Sequence, residues 1–308
     1  MNRYFMKVLE SLRSGGIDTF VYCDENFAYS EFFSCINEDK SCTITRIFNI
    51  RSAGFYALGL SQRKKSAVAI IVANETELSC LLSPVTEACY QDVPLVLIYI
   101  GGGFEPSSFE FLKPVVPQFF EMPSEIKAED SLFVQLTDEL KRCYRKPFLI
   151  KMPEMNYCIE EFKNVFTSDI IRFLKTVKDN LYIMIAFPAL FTKQELEEIE
   201  AENMCDLYFD KYGAVSMFIG HSMAAKRNCC LIIEMQDFLA DLNALWVRGA
   251  SNKNVRILVI NKEKSQTCGR LDAWMQRLGY QYIKVDSIGE GEKIFEKYEG
   301  PLIAELNV

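Results

Sequence analysis

The chain has 308 residues, 49% of them hydrophobic and 25% charged, with a formal net charge of -8. These values describe a globular chain long enough for two domains, and they exclude a disordered or fibrous class. The acidic balance excludes a broad phosphate-backbone surface, so no nucleic-acid partner is expected. The longest apolar runs, such as "AVAIIVA" and "VPLVLIYI", fall far short of the roughly 20 residues of a bilayer span, so no membrane partner is expected. The first stretch, "MNRYFMKVLESLR", is amphipathic and carries no cleavage signal, which predicts a cytoplasmic protein.

Strand and helix patterns alternate along the chain. The β-branched and apolar runs "TFVYC" (19–23), "AVAIIVA" (67–73), "PLVLIYI" (94–100) and "PFLIKMP" (147–153) predict strands. Apolar positions at helical spacing predict helices over 51–62 and 76–91, with Pro84 placed to kink the second. A boundary is expected between Pro153 and Phe166, giving domains over 1–155 and 160–308. Beyond it come a helix, "TSDIIRFLKTVKDN", and the strand runs "LYIMIAF", "CCLIIE", "VRILVIN", "YIKVD" and "PLIAELNV", the last read as an apolar strand. The fold class is therefore α/β, with each half a mostly parallel sheet flanked by helices. "SQRKKS" and "KQELEEIEAEN" read as solvated helical segments.

Eleven cysteines scattered through a long chain read as reduced thiols, with Cys229 and Cys230 packing in a strand. No C-x-x-C pair occurs and His221 is the single histidine, so neither a zinc site nor a cysteine nucleophile is expected. The run Gly101 to Gly103 completes no G-x-G-x-x-G spacing and reads as a turn, as does "SIGEGEK" around Gly289.

Several segments resemble the thiamine diphosphate (ThDP) enzyme superfamily, above all the SEPHCHC synthase (MenD-like) family of menaquinone biosynthesis. In the first half these are "RSAGFYALGL", "PVTEACYQDVPLVLIYI" and "KPFLIKMP". In the second they are "GAVSMFIGHSMAA", "FLADLNALW", "NVRILVINKEKS" and "LDAWMQRLGYQYIKVDS". The resemblance implies a pyrimidine-type domain followed by a diphosphate-type domain, without the family's central domain. In that family the cofactor lies between domains of different chains. A homodimer or dimer of dimers is therefore implied, with an intact ThDP enzyme as a second candidate partner.

The cofactor motifs depart from the family. Its "D-E-R" triplet, whose glutamate drives proton transfer through the aminopyrimidine, stands here as Asn49, Ile50 and Arg51, and no other catalytic residue is assigned. The superfamily includes a member that works with an aliphatic residue there, so Ile50 alone does not exclude catalysis. Its Gly-Asp pair, which anchors Mg²⁺, stands as Glu234 and Met235. The later asparagine ligand falls on Lys262, or on Asn261 after a one-residue slip. The "S-G-T" loop stands as Asn74, Glu75 and Thr76, and the "P-G-S" turn as Asp24 to Asn26. Gly213, Ser216, Gly220, Asp241 and Asn243 match the family pattern. Glu75, Ser216, Glu234, Met235, Asn243 and Lys262 are thus the positions that would face a cofactor.

Three functions follow from this pattern. The first is a non-catalytic structural or regulatory subunit with no cofactor and no metal. The second is a ThDP- and Mg²⁺-dependent lyase or transferase acting on a 2-oxo acid through an altered site. The third is a pocket retooled for another anionic small molecule, with Lys262 as its cation. In the absence of a ligand, Lys262 is expected to pair with Glu234 or Glu75.

Overall fold

The computed structural model describes residues 2–23, 27–28, 30–101, 109–123, 129–142, 145–153, 165–177, 182–186, 191–201, 206–208, 213–247, 251, 255–261, 271–287, 289–290 and 300–307. The chain forms two compact units, Met1–Glu161 and Phe162–Val308. Each holds a six-stranded parallel sheet with helices packed against it.

In unit 1 the elements run α1 (Arg3–Ser14), β1 (Thr19–Tyr22), α2 (Glu31–Glu38), β2 (Thr43–Arg46), α3 (Ile50–Lys64), β3 (Val68–Val72), α4 (Glu75–Cys80), α5 (Leu82–Tyr90), β4 (Leu95–Tyr99), β5 (Gln118–Glu121), α6 (Asp130–Arg142) and β6 (Phe148–Lys151). Polar caps start the helices where the sequence leaves a strand. Asn49 Oδ1 accepts from the Ser52 N–H at 3.0 Å and Asn74 Oδ1 from the Glu77 N–H at 2.9 Å, satisfying donors that have no partner within the helix. The expected helix over 76–91 is two helices that break at Leu81. Pro84 lies in the first turn of α5, where a missing N–H costs little, so it does not kink a continuous helix.

Unit 2 contains α7 (Val165–Val177), β7 (Tyr182–Ala186), α8 (Lys193–Ala201), β8 (Asp206–Tyr208), α9 (Ala214–Ala224), β9 (Cys229–Glu234), α10 (Met235–Ala240), a 3-10 helix (Leu242–Trp246), β10 (Val255–Asn261), α11 (Leu271–Arg277), β11 (Gln281–Val285) and β12 (Leu302–Asn307). Its sheet carries apolar cores on both faces. Met184, Leu231, Ile257 and Ile303 face one cluster with α9 to α11. Ile183, Ile232, Leu258 and Ala304 face the other with α7 and α8. Two-sided burial explains why the central strands read as continuous apolar runs.

The second sheet repeats the first. The orders are β2-β1-β3-β4-β6-β5 and β8-β7-β9-β10-β12-β11, the same path taken twice. Laying Val68 of β3 on Cys229 of β9 brings Ala53 onto Ala214, Gly59 onto Gly220 and Ser61 onto Ser222 without a gap. In both helices the alanine and serine are buried and the glycine is exposed.

Among the described residues no helix is long and apolar enough to cross a membrane. Among the described residues, Cys23, Cys35, Cys42, Cys80, Cys89, Cys229 and Cys230 take part in no disulfide.

Candidate functional site

In an open parallel sheet, ligands settle outside the carboxyl ends of the strands, where the strand order reverses. The chain leaves β1 for the outer β2 and crosses back to β3, so unit 1 reverses between β1 and β3. Unit 2 reverses between β7 and β9. Residues at and just after the carboxyl ends of β3 and β9 therefore stand at the two crevices. They include Glu75, Glu234 and Met235.

At the edge of unit 1, Ile50 is the first residue of α3 and fully buried. An aliphatic side chain neither gives nor takes a proton, so this position supplies packing rather than acid-base chemistry. Glu75 opens α4 and is exposed. A second acid, not singled out from the sequence, lies two residues on. Glu77 is fully buried, and its Oε2 accepts from the Ala73 N–H at 2.7 Å while Asn74 caps its own N–H. The signal was present in "NETE", the spacing of a capping box. Burial pushes the Tyr99 phenol upward, and the charges of Glu75 and Glu77 add to the shift. A Cβ on Gly101 would stand 2.3 Å from the Ala73 carbonyl oxygen and 2.8 Å from the Tyr99 hydroxyl, so close approach requires the glycine. Gly102, Gly103 and the turn at Asp24 to Asn26 lie outside the described residues.

At the edge of unit 2, Glu234 ends β9 and Met235 opens α10, and both are buried. Ile260 pairs with Glu234 as the last pair of their ladder, and Asn261 is the last residue of β10. Lys262 and the pairing expected for it lie outside the described residues. Ser216 and Asn243 are exposed. The Ser216 N–H and hydroxyl donate to the two oxygens of Asp241, at 2.6 and 2.7 Å. Asp241 thus caps α9, whose own cap residue, Gly213, has no side chain to offer.

A polar network that sequence reading missed lies behind this edge. Glu305 of β12 is fully buried, and its Oε1 accepts from Asn261 Nδ2 at 2.8 Å. Its Oε2 accepts from the Tyr282 hydroxyl and stands 3.6 Å from Lys284 Nζ. Burial raises the Tyr282 phenol, and the bond to Glu305 raises it further. An acid inside "PLIAELNV" was the available signal, since a buried glutamate needs partners.

No family model matches the chain. It is similar to the 2-succinyl-5-enolpyruvyl-6-hydroxy-3-cyclohexene-1-carboxylate synthase of Bdellovibrio bacteriovorus, 29% identical over 92 residues, or 30% of this chain. It is also similar to the synthase of that name from Histophilus somni, 33% identical over 100 residues, or 32% of this chain. The matched segments span only 17% and 18% of those relatives' lengths. These partial matches support the ThDP-superfamily resemblance, and the two parallel α/β sheets are consistent with two ThDP-type domains.

The donors at the unit 2 edge fit poorly to the Mg²⁺ that such a fold implies. A hard cation takes oxygen ligands, often keeping several waters. Under the resemblance, a buried thioether, Met235, would stand where the family has an aspartate, and a thioether is a poor ligand for a hard cation. Among the described residues, no group of three or more His, Cys, Asp and Glu side chains converges as a metal site.

Proposed function

We propose that the chain is a non-catalytic protein of the ThDP fold, a structural or regulatory subunit that works through protein contacts rather than through a cofactor. The observation that carries this reading is Met235, 5% exposed at the carboxyl end of β9, where the resemblance calls for the metal-binding aspartate. Ile50, buried at the start of α3, supports it from the other unit. Without a metal bridge, two phosphate groups would meet Glu234 unneutralised.

The reading includes a homodimer, in which unit 1 of one chain meets unit 2 of another. Its support is the surface of α3 and α9. Both bury one face, yet Phe55 and Tyr56 on α3 and Met217 and Met223 on α9 stay exposed around Gly59 and Gly220. Helices with apolar residues on both faces normally have neighbours on both faces. An intact ThDP enzyme is the alternative partner for the same surfaces. The free thiols suit a reducing compartment such as the cytoplasm.

Titration calorimetry with ThDP and Mg²⁺ tests the reading. Binding no tighter than about millimolar is expected. Mg²⁺-dependent binding at about micromolar overturns it in favour of a ThDP-dependent lyase or transferase.

A further inference from the structure

One rim of each sheet follows the same pattern. β5 and β11 are outer strands, and β6 and β12 are the inner strands they join. Gln118 of β5 pairs with Phe148, the first residue of β6, and Gln281 of β11 pairs with Leu302, the first residue of β12. The two ladders therefore share a register. Rung by rung, "QFFE" (118–121) corresponds to "QYIK" (281–284), and "FLIK" (148–151) to "LIAE" (302–305). Both outer strands read glutamine, aromatic, apolar, charged. Both inner strands read apolar three times and then charged.

The charged rung is where the two rims differ. In unit 1 it sets Glu121 against Lys151, whose Nζ donates to Glu121 Oε1 at 2.7 Å. In unit 2 it sets Lys284 against Glu305, with Nζ and Oε2 3.6 Å apart. The polarity is reversed. If β5 took the place of β11 beside β12, Glu121 would face Glu305, which is fully buried. Phe119 would also stand at the rung of Tyr282, whose hydroxyl donates to Glu305 Oε2. A buried carboxylate that loses a donor and gains a like charge is destabilised on both counts. If β11 took the place of β5 beside β6, Lys284 would face Lys151, and like charges directly opposite destabilise a strand pair. The earlier rungs hold no charge that could tell the outer strands apart.

We infer that the reversed polarity of this rung assigns each outer strand to its own sheet and prevents exchange of β5 and β11, within one folding chain or between two. Each outer strand precedes in the chain the inner strand that receives it. It therefore waits unpaired, and an unpaired strand can join any open edge of matching pattern. Tyr282 adds a second mark of identity on the side where Glu305 is buried.

Refolding of the full chain from urea tests the inference. Glu121→Lys with Lys151→Glu keeps an ion pair in unit 1 but gives it the polarity of unit 2. The urea midpoint is expected to stay at that of wild type, while the yield of soluble refolded protein falls about twofold or more. Adding Phe119→Tyr, which supplies the missing hydroxyl, is expected to lower the yield further. A carbodiimide joins a carboxylate to an amine in contact with it and so identifies the paired strands. In the misassembled fraction of the exchanged variant, a link between position 151 and Lys284 is expected, and wild type is expected to lack it. An unchanged yield overturns the inference, as does a misassembled fraction linked only between 121 and 151 and between 284 and 305. If the exchanged variant does not fold, Glu121→Gln with Lys151→Gln removes the charges of this rung from unit 1 alone. Its yield is expected to fall below that of wild type, and an equal yield overturns the inference.

Discussion

Ser216 and Asp241 are joined twice, backbone N–H to one carboxylate oxygen and hydroxyl to the other. The pair ties the first turn of α9 to the junction of α10 and the 3-10 helix, and its structural role is that of a helix cap. Asp241→Ala should cost about 0.5 to 2 kcal/mol, the range of a lost N-cap. Asp241→Asn, which keeps one acceptor, should cost less, and urea unfolding of both variants checks the order.

The glycines of the two repeated helices give opposite signs for folding and association. Nothing lies within 4 Å of a Cβ built on Gly59 or Gly220. Gly59→Ala should stabilise the fold by roughly 0.5 to 1 kcal/mol, because alanine loses less backbone freedom in a helix. Gly59→Trp or Gly220→Trp should keep the circular dichroism of wild type and weaken a dimer about tenfold or more. Sedimentation at tens of micromolar reads the result, and a monomeric wild type removes the dimer.

Two tyrosines two positions apart should respond in opposite directions. Among the described residues the buried Tyr280 hydroxyl has no hydrogen-bond partner, and burial pushes its phenol up to about 12. Tyr280→Phe should therefore stabilise by up to about 1 kcal/mol at neutral pH. Tyr282→Phe removes a donor from the buried Glu305 carboxylate and should cost about 2 kcal/mol. Urea midpoints at fixed slope separate the two.

The same phenols set an alkaline limit. Tyr280 has a folded value above the ordinary value of about 10, so its neutral form favours the fold below about pH 10. That contribution is lost as pH rises through about 12. Tyrosinate absorbance should show a late-titrating class that appears together with loss of helix. Titration of all tyrosines near pH 10 with the fold intact would contradict the burial.

Gly101→Ala should destabilise by about 2 kcal/mol or more, because the added methyl meets the Ala73 carbonyl oxygen, a backbone atom that cannot swing aside. Thermal melts measure the loss.

Strands buried on both faces were legible as apolar runs, whereas β2, β5 and β8 were not. Each lies at the rim of its sheet, and "TITR", "QFFE" and "DLY" carry too little apolar pattern to read as strands. The second rim of unit 2, β11, was found because "YIKVD" keeps enough β-branched and aromatic character. At the site, Ile50, Glu234 and Met235 were singled out by resemblance. Glu305 could not, because its meaning depends on Asn261 and Tyr282, which reach it only through the pairing of three strands. That the second half repeats the α/β scheme of the first was legible, whereas the identical strand order was not, and its trace in the sequence is a few small residues on α3 and α9.

The shared strand order also governs how each half can assemble during synthesis. In both units the fifth strand made takes the rim, and the sixth slots between it and the fourth. Until Phe148–Lys151 emerges, β5 has no ladder to join, and until Leu302–Asn307 emerges the same holds for β11. A ribosome-bound intermediate at either stage presents a half-built sheet with an open apolar edge at β4 or β10, ready to capture a stray strand. Unit 1 passes through this exposed stage and can close before unit 2 enters its own, so the duplicated path separates two aggregation-prone moments in time.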